Sequence, residues 1–259
     1  MDRRREPLPT RVQDTPTLPK AYDDALHAGL VDLGLDLEPA ARTAIDGHVR
    51  LLLAWTTAIN LTAIRDPASI ARGHVIDSLS ALPLIARRGP RRLLDIGSGG
   101  GFPGLPLAAV LADTDVTLLE PVGKKARFLS TATTATGLDG RVTVDARRAE
   151  ELARDRGGRG AHDLVTARAV ASTADLVELA FPLLAPSGAL VAWKRGDLTA
   201  ELGAARRAVD ALGGGSVDVV DVPVRGLDGH RLVVATRGDD TSVPAAYPRD
   251  PAQRRRRPW

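Results

Sequence analysis

The chain has 259 residues, 44% of them hydrophobic and 26% charged, enough for one α/β domain with a helical appendage. It has no cysteine, which excludes disulfides, thiol catalysis and cysteine metal sites, and its five histidines fall in no ligand spacing, so no metal is expected. The net charge of +3 sits in the tails: setting aside five basic and three acidic residues in 1–20, and six and three in 237–259, leaves 24 basic against 26 acidic in 21–236, so overall charge alone does not argue for a polyanion partner. No apolar run approaches the ~18 residues of a membrane span. The opening Met-Asp-Arg-Arg-Arg-Glu lacks the apolar core of a secretory signal. A cytoplasmic protein without membrane contact, and a monomer by default, is the expectation.

Residues 1–20 are proline-rich and polar, and read as a disordered tail. Residues 21–90 read as a helical segment. Leu26, Leu30 and Leu33, then Ile45, Val49, Leu52 and Leu53, recur at helical spacing, and Glu38-Pro39 fits a helix start. Trp55 and Ile59 carry the pattern to Asn60-Leu61-Thr62, and Ile64-Arg65-Asp66-Pro67 turns the chain. Ile70 to Leu84 is expected as one amphipathic helix bearing His74 and Asp77, and Arg87-Arg88-Gly89-Pro90 as the hinge into a domain spanning 91–236.

That domain opens on Arg91 to Gly104. Arg91 to Ile96 reads as a short buried strand, and Gly97-Ser98-Gly99-Gly100-Gly101 as a turn that takes positive φ and admits close approach of another molecule. Phe102-Pro103-Gly104 opens a helix to about Ala112. Strands follow at Val116–Leu119, Val142–Val144, Asp163–Thr166, Ala189–Trp193, Val217–Val222 and Arg231–Thr236. Helices are expected over Lys124–Thr136, Asp175–Leu184 and Thr199–Leu212, with Arg147–Leu152 as a loop; 237–259 reads as a disordered arginine-rich tail. The alternation predicts a doubly wound, mostly parallel, seven-stranded Rossmann-like sheet whose last two strands are antiparallel. Ligands bind such sheets at the carboxyl ends of the strands, which gathers Asp95, Gly97, Gly99, Glu120, Ala149-Glu150, Arg168 and Lys194 at one crevice.

The glycines alone do not choose the ligand, since Gly99-x-Gly101-x-x-Gly104 also matches a dinucleotide pattern. Asp95 discriminates: a carboxylate at the strand tip repels a pyrophosphate and attracts the ammonium and sulfonium of S-adenosylmethionine. Glu120, closing the next strand, is placed to accept from ribose hydroxyls in either case. The S-adenosylmethionine-methyltransferase form of the sheet is therefore expected.

Several ordered motifs extend this reading. They are Trp55…Asn60-Leu61-Thr62, Arg65-Asp66-Pro67, His74…Asp77-Ser78, Leu94 to Gly99, Phe102-Pro103-Gly104, Gly123-Lys124-Lys125…Arg127-Phe128-Leu129, Arg148-Ala149-Glu150-Glu151, Ala167-Arg168-Ala169 and Lys194-x-Gly196. Over roughly Leu26 to Thr236 the chain resembles the RsmG family, also called GidB, bacterial methyltransferases of guanine N7 in 16S ribosomal RNA. It departs where Gly73 stands directly before His74 and where Arg195 is inserted between Lys194 and Gly196. The resemblance implies cofactor contacts at Gly97, Phe102, Ala149, Glu150 and Arg168, and 16S rRNA of the small ribosomal subunit as partner.

Guanine N7 carries an in-plane lone pair at neutral pH, so no general acid or base is assigned. Arg148, Arg168 and Lys194 are candidates to position substrate, each with a salt bridge as its alternative. Arg87, Arg88, Arg91 and Arg92, and Lys124, Lys125 and Arg127, form two clusters able to hold phosphates. Phe102 serves equally as apolar lid or core residue; for Trp193 core packing is favoured over base stacking. Competing readings are a small-molecule methyltransferase, a dinucleotide oxidoreductase and a non-enzymatic binding module.

Overall fold

The computed structural model describes residues 7–239 and 242–259. The seven apolar runs become β1 (Arg92–Ile96), β2 (Asp115–Leu119), β3 (Val142–Asp145), β4 (His162–Arg168), β5 (Leu184–Arg195), β6 (Gly215–Asp221) and β7 (His230–Arg237). They form one sheet in the order β3-β2-β1-β4-β5-β7-β6. The first five are mutually parallel, and β7 runs antiparallel to both neighbours. Strand order reverses between β1 and β4, which opens a crevice at their carboxyl ends.

Helices α1 (Lys20–Leu33), α2 (Pro39–Trp55), α3 (Pro67–Ile70), α4 (Asp77–Leu79) and α5 (Leu82–Arg88) precede the sheet. Between the strands lie α6 (Gly104–Val110), α7 (Gly123–Ala135), α8 (Ala149–Leu152), α9 (Thr173–Ala180) and α10 (Thr199–Ala211), and α11 (Pro251–Arg256) follows them. The strand period of two divides the core between the faces. Leu93 packs with residues of α1, α2 and α7, whereas Leu94 and Ile96 pack with residues of α9 and α10. The helical segment is thus the cover of one sheet face, sharing a single apolar cluster with it. Among the described residues no helix is long and apolar enough to cross a membrane.

The helix expected over Ile70–Leu84 is broken. Ala71–Ile76 forms a π-helical turn in which the Asp77 amide donates to the Arg72 carbonyl, and a new helix starts with Pro83 in its first turn. Gly73 weakens the α-helical preference there, and Pro83 has no amide to continue a helix. The helix expected over Asp175–Leu184 ends at Ala180, because Leu184 already pairs with His162 in the sheet. Where a loop was expected after β3, α8 forms, its start held by the Arg148 amide donating to Glu151 Oε2 at 2.7 Å.

The described parts of both tails are ordered against the body, contrary to the expected disorder. Trp55 Nε1 donates to the Pro9 carbonyl at 2.7 Å, and Arg50 Nε to that of Pro16 at 2.9 Å. At the other end Arg249 and Trp259 donate to Glu178, a carboxylate buried in α9. Buried carboxylates need such partners, and that need fixes the chain's end. Residues 1–6 lie outside the described residues.

Candidate active site: a groove at the carboxyl ends of the strands

The glycine turn begins where β1 ends. Gly97 (φ 70°) and Gly99 (φ 56°) take the left-handed conformation that disfavours a side chain. A Cβ on Gly97 would lie 2.7 Å from Val170 Cγ2. Gly104 is required by contact instead, since a Cβ there would lie 2.4 Å from Leu118 Cδ2 and 2.7 Å from Asp95 Oδ2.

Asp95 corrects the reading that relied on it. Its side chain is fully buried; Oδ1 accepts from the Thr166 hydroxyl at 2.8 Å and Oδ2 from the Gly104 amide at 3.2 Å. It braces the turn from below and lines neither part of the groove. Burial pushes its carboxyl up to about 6, against the bonds that favour the charged form. Glu120, 4% exposed and likewise outside both linings, braces the turn from the β2 side. Its Oε2 accepts from the Gly99 amide and its Oε1 from the Val122 amide, both at 2.9 Å. The loop amide that would greet a pyrophosphate is therefore already held by a carboxylate. Each Glu120 oxygen keeps a lone pair for a ribose hydroxyl.

The groove has two parts that meet at Gly97, with Val170 against it. The smaller, about 230 Å³, is an apolar slot of Ile96, Leu119, Pro121 and Ala149 with Glu150 at its edge. The larger, about 610 Å³, lies between the glycine turn and the helical segment, lined by Thr62, His74, Gly99, Phe102, Lys125 and Arg195 among others. Phe102 is 6% exposed, within the apolar core, and it also lines the larger cavity. Its ring stacks on His74 at 4.8 Å and lies 4.6 Å from His48.

Arg168 pins the helical segment to the sheet. Its Nη1 donates to Asp77 Oδ2 at 2.9 Å and to the Gly73 carbonyl at 3.2 Å, and its guanidinium lies over the Phe102 ring. His74 Nδ1 lies 3.2 Å from Arg168 Nη2 and 3.0 Å from the Gly73 carbonyl, and its Nε2 pairs with Thr62 Oγ1 at 2.7 Å. Burial, and then the nearby Arg168 charge, lower His74 to about 4. His48 is likewise lowered to about 4, by burial, and bonds the Gly100 carbonyl at 2.7 Å. Asp77 Oδ1 meets His230 Nδ1 at 2.9 Å, and the Asp77 carbonyl accepts from Trp193 Nε1 at 2.6 Å. Trp193 is thus a packed core residue, 6% exposed, that also lines the larger cavity.

Of the expected positioning residues, Arg168 and Lys194 are spent on internal partners. Lys194 Nζ donates to Glu201 Oε1 at 2.6 Å and to the Ala171 carbonyl at 2.7 Å. Arg148 is exposed and lines the smaller cavity. The cations that line the larger cavity without an ion-pair partner among the described residues are Lys125 and the inserted Arg195. Arg91 and Arg92 stand at the amino end of β1, a strand's length from the groove, so their cluster does not join the site. His48 and His230 went unnoticed in sequence because their partners, Gly100 and Asp77, are 52 and 153 residues away.

A model of the GidB family, described as rRNA small subunit methyltransferase G, matches residues 42–225. The chain belongs to the GidB family. Ribosomal RNA small subunit methyltransferase G of Dehalococcoides mccartyi is 40% identical over 222 residues, covering 85% of this chain and 93% of that one. The protein of the same name from Roseiflexus sp. is 44% identical over 207 residues, covering 80% and 87%. Among solved structures, the S-adenosylmethionine-dependent methyltransferase SibL in its apo form shares the fold, with a TM-score of 0.53 at 18% identity over 85% of this chain and 76% of that one. This GidB chain is accordingly an S-adenosylmethionine-dependent methyltransferase. Its groove fits that cofactor on its own terms: an apolar slot edged by Glu150, a glycine-rich turn that admits close approach, and a Gly99 amide already held by Glu120.

Proposed function

We propose that this protein methylates N7 of a guanine in 16S ribosomal RNA of the small subunit, in the cytoplasm. The observation that carries the reading is the larger cavity. It joins the cofactor slot at Gly97 and presents Lys125 and Arg195 to whatever enters, while its buried acid, Asp77, is already paired. Unpaired cations around an apolar floor suit a base on a phosphate backbone.

S-adenosylmethionine supplies an electrophilic methyl group on a sulfonium. Gly97, Gly99, Glu120, Phe102 and the Ala149-Glu150 pair would hold it. Guanine N7 attacks with its own lone pair, so the protein removes no proton and needs no nucleophile. The chain's work is placement and exclusion of water. Phe102, held between His48 and His74, floors the cavity with a rigid apolar face. The neutral state of both imidazoles has a purpose here, because the purine becomes cationic as the methyl transfers and a neighbouring imidazolium would oppose that charge. Arg168 is kept from the ring by its bonds to Asp77 and Gly73. Lys125 and Arg195 take phosphates, which sets the register of the RNA without touching N7.

A strain lacking the gene, with its 16S rRNA digested to nucleosides, tests the proposal. The expected result is loss of 7-methylguanosine, restored by the wild-type gene. A full complement of that nucleoside in the deletion strain would end the proposal.

A further inference from the structure

The smaller cavity has a wall that the GidB match, which ends at residue 225, does not include. Pro251 and Arg254 of α11 line it opposite Ile96 and Leu119. Arg254 Nη2 donates to Glu150 Oε1 at 2.5 Å, and the two side chains are only 12% and 9% exposed. Arg254 Nη1 donates to the Arg249 carbonyl at 2.7 Å, so the guanidinium is also fixed from the segment just before its helix. Glu150 Oε2 is left to accept from a ligand.

This wall is built in. Glu178 of α9 is wholly buried, and among the described residues every donor to its carboxylate comes from the chain's end: Arg249 through its guanidinium and its amide, and Trp259 through Nε1 at 2.7 Å. Arg159 adds bonds to the carbonyls of Val243 and Tyr247 at 2.8 and 3.0 Å. Lifting the segment away would strand a buried carboxylate, which proteins resist strongly. A strap that opens for each cofactor would not be anchored in this way.

We propose that residues 242–259 form a fixed wall of the cofactor's adenine end, with Arg254 holding the Glu150 carboxylate in place to accept from the adenine amino group. This rests on the groove being the S-adenosylmethionine site. Arg254 is a positioning residue, acting through Glu150. An apolar slot ending in a clamped carboxylate selects a flat ring that donates from its 6-position, as the amino group of adenine does and the 6-oxo group of hypoxanthine does not.

The test titrates the full chain calorimetrically with S-adenosylhomocysteine and with S-inosylhomocysteine, comparing wild type, Arg254→Met and the exposed control Arg256→Ala, with circular dichroism as the check of folding. Wild-type binding of S-adenosylhomocysteine checks the reading on which the proposal rests. The expected result is a dissociation constant raised about tenfold in R254M and unchanged in R256A, with most of the preference for the adenosyl over the inosyl ligand lost in R254M. Wild-type affinity in R254M would overturn the proposal. Tighter binding would overturn it too, since that is the behaviour of a strap. A parallel loss for both ligands would reduce Arg254 to a stabilising role and equally overturn it.

Discussion

Replacing Gly97 with alanine perturbs the point where the two parts of the groove meet. Two costs add. The residue is held at φ 70°, where an L-side chain costs about 1–2 kcal/mol. The new Cβ would also lie 2.7 Å from Val170 Cγ2, and forcing a methyl group into a packed contact costs about 1–3 kcal/mol. The sum, roughly 2–5 kcal/mol, lowers the melting temperature of a chain of this size by on the order of 10 °C. Because Val170 is 39% exposed, Val170→Ala alone is expected to change stability by no more than about 0.5 kcal/mol. In the double variant the steric part returns and the backbone part remains, so the cycle should show a favourable coupling of about 1–3 kcal/mol. Affinity for S-adenosylhomocysteine should fall about tenfold or more in G97A and recover only partly in the double variant, because the Cβ still intrudes on the groove. Thermal denaturation and calorimetric titration of the four proteins read both quantities. An additive cycle would refute the contact, and undiminished cofactor binding by G97A would refute the placement of the groove.

Asp95 gives a pH signature. Its folded carboxyl titrates near 6, above the ordinary carboxylate value of 3.8, so the folded state holds this proton longer and stability falls as pH rises through that window. Asp95→Asn removes the titration while the amide can still meet Thr166 and Gly104; its stability relative to wild type should rise by on the order of 2–3 kcal/mol between about pH 4 and 7, and a constant difference in urea titrations would contradict this. His74, neutral above about 4, should contribute no ionisation to methyl transfer, so His74→Gln should show the wild-type pH profile of kcat/KM between about pH 6 and 8; an inflection near 6.5 present only in wild type would assign it an ionising role. Arg195→Ala and Lys125→Ala should each raise KM for ribosomal particles several-fold with kcat little changed and a shallower dependence on salt, and a loss confined to kcat would move these residues from phosphate contact to the reacting atoms.

The strands were legible because each is an apolar run bounded by turn residues, and such runs are buried whatever surrounds them. The glycine turn was legible for a related reason, since few other backbones need so many left-handed residues together. Asp95 shows where that logic stops. Its position at a strand tip was readable, but the direction of its side chain depended on Gly104, nine residues on, offering an amide and no Cβ. Arg168 and Lys194 were placed correctly at strand ends, yet whether a cation is free or paired depends on partners such as Asp77 and Glu201 brought up by other elements. The ordered C-terminal end did leave a signal. Glu178 stands between Val177 and Leu179 in the apolar second half of its helix, and such a charge needs a partner from elsewhere. Asp250-Pro251-x-Gln253 is a helix start with its capping box, and it should have argued against disorder. The arginines that follow hid it, because composition outweighed the local pattern.

The central claim is that the larger cavity receives a guanine of 16S rRNA against a methyl donor lying across Gly97. Transfer of labelled methyl groups from S-adenosylmethionine to purified small subunits and to naked 16S rRNA, followed by nuclease digestion and identification of the labelled nucleoside, tests it most directly. The account predicts that the label is recovered as 7-methylguanosine at one position of 16S rRNA. Label recovered in a small molecule, or on any other atom of the RNA, would contradict it.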